Sequence, residues 1–410
     1  MTTLTPSSGK APAPLASSPA HASALAIHGG TPVSTTRVPF MIPGLSEADI
    51  AAAMVVLKSG MLRAWKKCEE LEQRMGQMSG AKHAMTCSNG TCALQLAYEP
   101  LFERGDEVLV PAWSYIATAS MLVARGCVPV FVDALPETGQ IDMADAARKL
   151  TPRTRGIAAT HMYGCPVDID AVQSLAAKHN LKVVYDAAQA HLSTYKGKGI
   201  GEFGDCVTYS FYATKNLPTG EGGLITCNND QLARQIKLLR SHGETDKYLH
   251  EQVGYNYRLN DIAGALGCSR LDRLEAETNA RRAAAKTYDA LFAAAPFVGV
   301  VRPLASTPGA VSAYHLYTIE LNTDVLTCTR DEFAKALDAE GVPTAVHYPR
   351  ALTDQPAFAA FVKGDSAEQW PVASRLAKRV MSMPMHHGMT AEHFATIEKA
   401  MAKVIAGLRK

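Results

Sequence analysis

The stretch that decides the fold is Val183-Val184-Tyr185-Asp186-Ala187-Ala188-Gln189-Ala190-His191. It begins as an apolar strand, and the carboxylate of Asp186 follows where the strand ends. Open α/β proteins bind ligands at the carboxyl edge of the sheet, so this position makes Asp186 a candidate functional residue. Taken alone, however, a carboxylate after a strand is more often a helix N-cap or a turn residue.

Outward from this stretch, short apolar runs alternate with helix-length amphipathic segments. Strands are predicted over 83–86, 107–110, 128–132, 156–159, 182–185, 206–211 and 223–227. Helices are predicted over 45–80, 92–102, 115–125, 143–150 and 169–179. Strands that are apolar on both faces and alternate with helices are typical of a mainly parallel α/β sheet.

The chain is expected to divide into a large and a small domain. Residues 1–22, rich in Pro, Ser, Ala and Thr, are predicted to be a disordered tail, and residues 23–258 form the large α/β domain. A long linking helix is predicted within 259–297. From residue 298 to 410, strands mix with helices (330–340 and 391–408), which indicates a smaller C-terminal α+β domain.

Composition excludes several classes of partner. The 410 residues include 41 basic and 39 acidic side chains, a net charge of +2, without the concentrated positive charge that nucleic acid or anionic lipid requires. No apolar run approaches the roughly 20 residues of a membrane span. The nine cysteines form no C-x-x-C pair, which favours reduced thiols, no metal site and a cytoplasmic protein.

A second candidate is Lys215, which lies between the predicted strand 206–211 and the glycine-rich turn Thr219-Gly220-Glu221-Gly222-Gly223. Glycines there allow a close approach of the backbone to a ligand. A lone lysine is usually a solvated surface group. In this position, a partly desolvated amine that forms a Schiff base is a better interpretation.

A third candidate is the turn Cys87-Ser88-Asn89-Gly90-Thr91, which joins a predicted strand to a helix. Free amides at a helix N-terminus bind phosphate, although plain N-capping is the more common explanation for such a turn taken alone. The segment 199–204 fits G-x-G-x-x-G but leads into a strand rather than a helix, so we reject a dinucleotide site there.

Together these three segments favour one ligand. It carries a phosphate for the helix N-terminus, a basic ring nitrogen for Asp186 and a carbonyl for Lys215. Pyridoxal 5'-phosphate (PLP) has all three groups. The sequence therefore predicts a PLP enzyme.

The same segments resemble the DegT/DnrJ/EryC1/StrS family of PLP-dependent aminotransferases, which act mainly on keto sugars and cyclitols. The resemblance runs from about residue 25 to the C-terminus. It rests on the stretches 186–191, 210–216 and 219–223, supported by 161–164, 254–258 and 383–386. It implies the fold-type I transferase architecture, with a mainly parallel seven-stranded sheet flanked by helices.

The resemblance also implies roles for individual residues. Lys215 would hold the cofactor as a Schiff base and Asp186 would contact its pyridine nitrogen. The other cofactor contacts implied are Gln189 near the ring hydroxyl, Gly90, Thr91 and Ser210 at the phosphate, Tyr115 stacked on the ring, and Asn256 from a neighbouring subunit. Core packing is the alternative for Tyr115, with Trp113 as a rival. A homodimer with two composite sites follows.

Four further residues are tentative members of the substrate pocket: His161, His191, Arg258 and His347. A structural role is an equal alternative for both His161 and His191, and Arg258 could instead hold a subunit interface together.

The resemblance implies ping-pong transamination in a biosynthetic pathway, from L-glutamate to a keto or aldehyde acceptor. Some relatives that act as dehydratases carry histidine in place of Lys215, whereas this chain has the lysine. Two alternatives stay open. One is an enzyme of the same fold that performs elimination or aromatisation, similar to aminohydroxybenzoate synthases. The other is a non-catalytic regulatory protein.

Overall fold

The computed structural model describes residues 24–42 and 44–410, so the predicted tail over 1–22 lies outside the described residues. The strands are β1 (His83–Cys87), β2 (Glu107–Pro111), β3 (Val128–Val132), β4 (Thr154–Thr160), β5 (Lys182–Asp186), β6 (Thr194–Tyr195), β7 (Lys198–Gly199), β8 (Cys206–Ser210), β9 (Gly223–Cys227), β10 (Glu244–Asp246), β11 (Leu249–His250), β12 (Val301–Pro303), β13 (Ala310–Val311), β14 (Tyr317–Leu321) and β15 (Val380–Met383). The α-helices are α1 (Glu47–Ser59), α2 (Lys66–Ser79), α3 (Gly90–Tyr98), α4 (Ile116–Arg125), α5 (Met143–Arg148), α6 (Ile169–His179), α7 (Asp230–Arg240), α8 (Asp261–Phe292), α9 (Arg330–Ala339), α10 (Ser366–Gln369), α11 (Pro371–Arg379) and α12 (Ala391–Leu408).

The large sheet confirms the predicted fold class. Its strand order is β1-β9-β8-β5-β4-β2-β3, and β9 is antiparallel to both of its neighbours while the other adjacent pairs are parallel. Successive residues of a strand face opposite sides of the sheet. Val184 accordingly packs into the core on one side, and Tyr185 packs into the core on the other.

The N-terminal helical region is two helices, so the single stretch predicted over 45–80 is wrong. Ser46 caps α1, in a capping box with Asp49. Gly60 then adopts φ +70°, and its amide bonds to the carbonyl of Leu57. Glycine enters this left-handed conformation at little cost, which ends α1 before α2 begins at Lys66.

The small domain has its own sheet and core. Strands β12, β14 and β15 form an antiparallel sheet, which packs with the end of α8 and with α9 and α12. The predicted long helix is present as α8. Leu25 and Val38, from a segment that the predicted division assigns to the large domain, lie in this small-domain core.

A buried carboxylate holds that N-terminal segment in place. The side chain of Glu340 accepts hydrogen bonds from the amides of Ala26 and Val33, both at 2.9 Å. It also pairs with the ammonium of Lys403 at 2.8 Å. The residues before the first α-helix are therefore part of the small domain's structure.

No helix of the described residues is both long enough and apolar enough to cross a membrane.

Candidate active site

The candidate residues come together because the strands before them are parallel. Strands β1, β2, β5 and β8 all end at the same edge of the large sheet. The start of α3 follows β1, Tyr115 follows β2, Asp186 is the last residue of β5, and Lys215 comes five residues after the end of β8. This is the carboxyl edge at which open α/β sheets bind ligands.

Asp186 is buried, and both of its carboxylate oxygens accept hydrogen bonds. Oδ2 accepts from the hydroxyl of Thr118 at 2.7 Å, and Oδ1 accepts from the amide of Ala188 at 3.0 Å. Burial raises the pKa of Asp186, whereas these two hydrogen bonds and the charge of Lys215 lower it. The site thus holds an oriented carboxylate in a low-dielectric environment, where it binds a positively charged group strongly.

Sequence reasoning did not identify the hydroxyl groups behind Asp186. The Oγ atom of Ser114 lies 2.8 Å from Oγ1 of Thr160 and 3.2 Å from Oγ1 of Thr118. All three residues are buried. Ser114 and Thr118 lie close to Tyr115 in the chain, but no local pattern shows that their hydroxyls reach Thr160 and Asp186, which are 46 and 68 residues further along.

Lys215 is half-buried in a loop that follows β8. Burial lowers the pKa of its amine, and the negative charge of Asp186 opposes that effect. Burial, followed by the charge of Lys215, lowers the pKa of His191 to about 3 and that of His347 to about 4. Burial thus favours the neutral form of the lysine, as a nucleophilic amine requires, whereas Asp186 favours the charged form.

The start of α3 forms a cradle against β8 and β9. Asn89 caps the helix by accepting from the amide of Cys92, whereas the amides of Gly90 and Thr91 have no acceptor within the described part of the chain. A Cβ added to Gly90 would lie 2.8 Å from Cβ of Ser210. A Cβ on Gly223 would lie 2.4 Å from the carbonyl oxygen of Asn89. Glycine at both positions allows this close packing, and the free amides are suited to a phosphate.

Gln189 connects the site to two tyrosines. Its Oε1 accepts from the amide of Tyr163 at 2.7 Å, and its Nε2 donates to the hydroxyl of Tyr348 at 3.0 Å. The ring of Tyr348 lies 5.8 Å from that of Tyr115, which is 54% exposed. Trp113, the rival for this role, is fully buried. The exposed ring of Tyr115 is therefore the better candidate to stack on a ligand.

The structure places His161 away from the carboxylate of Asp186. Thr160 pairs with Asp186 across β4 and β5 and points to the same side, so the next residue faces the other way. The ring of His161 stacks on Tyr185 at 5.0 Å, and its Nδ1 accepts from the amide of Val167. Burial lowers the pKa of His161 to about 3, as expected for a neutral core histidine.

The other tentative pocket residues differ in position. His191 is fully buried between the rings of Tyr209 and Phe211. His347 is half-buried, and its Nδ1 lies 3.2 Å from Oγ of Ser382. Asn256 and Arg258 are both exposed.

A further histidine, His315, was not predicted. It is buried, and its Nδ1 lies 3.2 Å from Oδ1 of Asn216, the residue after Lys215. The side-chain amide nitrogen (Nδ2) of Asn216 also donates to the backbone carbonyl of Ala313 at 3.1 Å. The small domain therefore holds the lysine-bearing loop directly. His315 follows no strand of the large sheet, so only the folded arrangement reveals it.

These residues fit PLP on the structure's own features. The cradle of free amides beside Ser210 accommodates a phosphate, and added Cβ atoms would fill it. Asp186 offers a buried carboxylate for a pyridinium, and Lys215 offers an amine of lowered pKa for an aldehyde. The group would thus be held by Gly90, Thr91 and Ser210 at one end and by Asp186 at the other.

Comparison with known proteins shows which proteins the chain is similar to. The sequence profile of the DegT/DnrJ/EryC1/StrS aminotransferase family matches residues 43–402. A pleiotropic regulatory protein from Geobacillus stearothermophilus is 36% identical, with 85% of this chain and 92% of the relative covered. A UDP-N-acetyl-3-dehydro-alpha-D-glucosamine 3-aminotransferase from Acidithiobacillus ferrooxidans is also 36% identical, with 82% and 88% covered. The crystal structure of S. venezuelae DesV with a ketimine intermediate superposes with a TM-score of 0.84 at 33% identity, with 90% and 98% covered.

Proposed function

The chain belongs to the DegT/DnrJ/EryC1/StrS aminotransferase family and is a PLP-dependent aminotransferase, and from that premise we propose how it works and on what. It transfers an amino group from L-glutamate to the carbonyl carbon of a keto sugar, by a ping-pong reaction. The observation that carries this proposal is the presence of buried Asp186 and Lys215 at one sheet edge, where the charge of each affects the pKa of the other. The acceptor class is supported by the 3-dehydro sugar in the name of the Acidithiobacillus relative.

The residues divide the work by position. When bound, PLP supplies an electron sink for the Cα–H bond that breaks. Asp186 would accept a hydrogen bond from the pyridine nitrogen and keep the proton on that atom. Gly90, Thr91 and Ser210 would bind the phosphate, and the exposed Tyr115 would contact the ring. Gln189, which is held by Tyr163 and Tyr348, would contact the ring hydroxyl.

Lys215 acts as the general acid and base. Because burial lowers the pKa of its amine, a larger fraction is neutral near pH 7 than for a surface lysine. A neutral amine accepts the proton from the substrate Cα. It then delivers that proton to C4' of the cofactor, the carbon that carries the aldehyde group in free PLP. A positioned group of this kind contributes roughly 10²–10⁴-fold to rate.

The same proposal includes a homodimer with composite sites. The region around α1 exposes many large apolar side chains: Ile42, Leu45, Ile50, Met54, Val55, Leu57, Met61 and Leu62. A contiguous exposed apolar surface of this kind is typical of a protein–protein interface. Asn256 is exposed, so its side chain is free to contact a second subunit, and we place it at the partner's cofactor phosphate. A cytoplasmic location is also part of the proposal, supported by the free thiols of all nine cysteines.

The experiment that tests the function is the visible absorption spectrum of the purified protein before and after L-glutamate. The band of lysine-bound cofactor is expected to be present and then to bleach, with one 2-oxoglutarate formed per site. Lys215→Ala is the control and should lack the band. A band that L-glutamate leaves unchanged would contradict the proposed donor. Release of ammonia without 2-oxoglutarate would favour the elimination alternative, and a protein that never acquires the band would favour a regulatory role.

A further inference from the structure

A cavity of about 310 Å³ lies between the two domains, and Tyr163, whose backbone amide donates to Gln189, is one of its lining residues. The large domain contributes Gln140, Tyr163 and Cys165 to its walls, and the small domain contributes Ser306, Tyr314 and Tyr317. Its volume is at the lower end of the range for small-molecule sites, which suits a single sugar-sized ring rather than a nucleotide.

The charge of the cavity selects between ligand classes. Among the described residues that line it, Asp289 of α8 is the one with a charged side chain. Lysine and arginine are absent from these lining residues, and the nearby guanidinium groups of Arg281 and Arg282 donate to the backbone carbonyls of Tyr314 and Ser312. A phosphate or carboxylate would therefore meet Asp289 with no cation among the lining side chains. The cavity therefore disfavours anions, including nucleotide sugars and PLP itself.

The arrangement around Asp289 favours a cation. The hydroxyl of Tyr317 donates to Oδ1 of Asp289 at 2.7 Å, which fixes the carboxylate and leaves Oδ2 for a ligand. The rings of Tyr314 and Tyr317 lie 6.4 Å apart and are inclined by 26°. Aromatic faces beside a carboxylate are the elements that bind ammonium groups. The hydroxyls of Ser306 and Thr138 add hydrogen-bonding partners for a hydroxylated ligand.

We propose that this interdomain cavity is a second ligand site that binds a small hydroxylated amine in its protonated form. Asp289 would pair with the ammonium, and the tyrosine rings and hydroxyls would contact the body of the molecule. This is the chemical class of an amino sugar, which the reaction would produce, and that last link rests on the proposed function.

The cavity shares a wall with the candidate active site. Tyr163 donates its amide to Gln189, and its hydroxyl donates to the backbone carbonyl of His347. A ligand in the cavity would contact Tyr163 of the large domain and also the small-domain segment 303–318. A bound ligand would therefore contact Tyr163, the residue that links Gln189 of the candidate active site to His347 of the small domain.

Isothermal titration calorimetry of the PLP-loaded protein tests the proposal, with D-glucosamine as the probe. N-acetyl-D-glucosamine is the matched compound, because it has the same ring but an uncharged nitrogen. We expect D-glucosamine to bind and N-acetyl-D-glucosamine to bind about tenfold more weakly or not at all. The band of lysine-bound cofactor should stay unchanged during the titration, since the cavity is separate from Lys215.

Asp289→Asn removes the charge but keeps an acceptor for the Tyr317 hydroxyl, and it should weaken D-glucosamine binding about tenfold. Glu275→Gln, at an exposed position of the same helix, is the control and should bind like the original protein. No binding of D-glucosamine, or equal binding in Asp289→Asn, would overturn the proposal. The titration contains no amino donor, so a protein that binds the probe but fails to react with L-glutamate would contradict only the proposed function.

Discussion

The hydroxyl of Thr118, on α4, donates a hydrogen bond to the carboxylate of Asp186, at the end of β5, at 2.7 Å. Thr118 is fully buried, so water does not replace this donor if it is lost. The contact stabilises the ionised form of Asp186 against the effect of burial. Thr118 is thus important for the charge of Asp186, the residue that we propose to contact the cofactor.

Thr118→Val tests that relationship, because valine keeps the shape and removes the hydroxyl. The pKa of Asp186 should rise, since burial remains and a hydrogen bond that lowers it is gone. A smaller fraction of the carboxylate is then ionised at a given pH. We expect the acid limb of the kcat profile to move to higher pH and kcat at pH 7 to fall roughly tenfold. The control Ser114→Ala leaves the Thr118–Asp186 contact intact and should keep the acid limb of the original protein. If the pH profile of Thr118→Val coincided with that of the original protein, Thr118 would not stabilise the ionised form of Asp186.

His191 should make stability depend on pH. Burial, with a smaller effect of the Lys215 charge, lowers the pKa of His191 to about 3, against about 6.5 in an unfolded chain. Between these values the unfolded state binds one more proton, so the free energy of unfolding falls as pH falls, by about 1.4 kcal/mol per pH unit.

His191→Phe should reduce that slope by about 1.4 kcal/mol per pH unit between pH 6 and pH 4. Phenylalanine fits between the rings of Tyr209 and Phe211 without a titrating group. Urea unfolding at a series of pH values measures the slope. The exposed His179, changed to Gln, should leave it unaltered. An unchanged slope in His191→Phe would show that His191 is protonated in the folded protein.

Gly90→Ala should weaken cofactor binding. The added Cβ would lie 2.8 Å from Cβ of Ser210, so the start of α3 or the end of β8 must move. Either shift displaces the free amides from the phosphate. We expect the apparent Kd of PLP to rise at least about tenfold, equivalent to the loss of one good hydrogen bond to a charged group. Gly76→Ala is the control: its nearest contact would be 3.4 Å, and helix α2 should become slightly more stable.

Glu340→Gln should destabilise the small domain. The carboxylate is fully buried and serves the amides of Ala26 and Val33 as well as the ammonium of Lys403. The neutral amide has only one acceptor oxygen, which leaves a buried donor unpaired at a cost of about 1–3 kcal/mol. Urea denaturation measures this loss of unfolding free energy. The exposed Glu398→Gln should change it by no more than about 0.5 kcal/mol.

The composite site can be tested by mixing two inactive variants. Lys215→Ala lacks the amine, and Asn256→Asp places a negative charge where the partner's cofactor phosphate is proposed to lie. Each alone should be nearly inactive. After the subunits exchange, about half of the dimers contain one of each, and each mixed dimer has one intact site. Activity should thus recover to about a quarter of the original, whereas no recovery would contradict a site built from two chains.

Many elements of both domains were predictable because their signals are local. Strands β3 and β9 and helices α6 and α12 have the predicted limits, since apolar runs, N-caps and strand ends are all encoded in short segments. Asp186 ends one such strand, and Lys215 follows another by five residues. Gly60 interrupts the first helix with an equally local signal that the prediction over 45–80 overlooked.

The remaining features depend on distant parts of the chain. Thr118 reaches Asp186 across 68 positions, and His315 reaches Asn216 across 99. The side of the sheet to which His161 points follows from its pairing register, which a single strand does not reveal. Residue type and spacing thus identify the chemistry, whereas the groups that tune it become visible only after folding.

The contact between Glu340 and the N-terminal segment has a consequence for the order of events during synthesis. The amide of Ala26 and its acceptor are 314 positions apart. At about 5–20 residues per second, a ribosome needs on the order of 15–60 seconds to add the residues between them. Leu25 therefore leaves the ribosome long before the core that receives it exists. The small domain begins with the first described residues of the chain, yet it is the last part that the newly made polypeptide can complete.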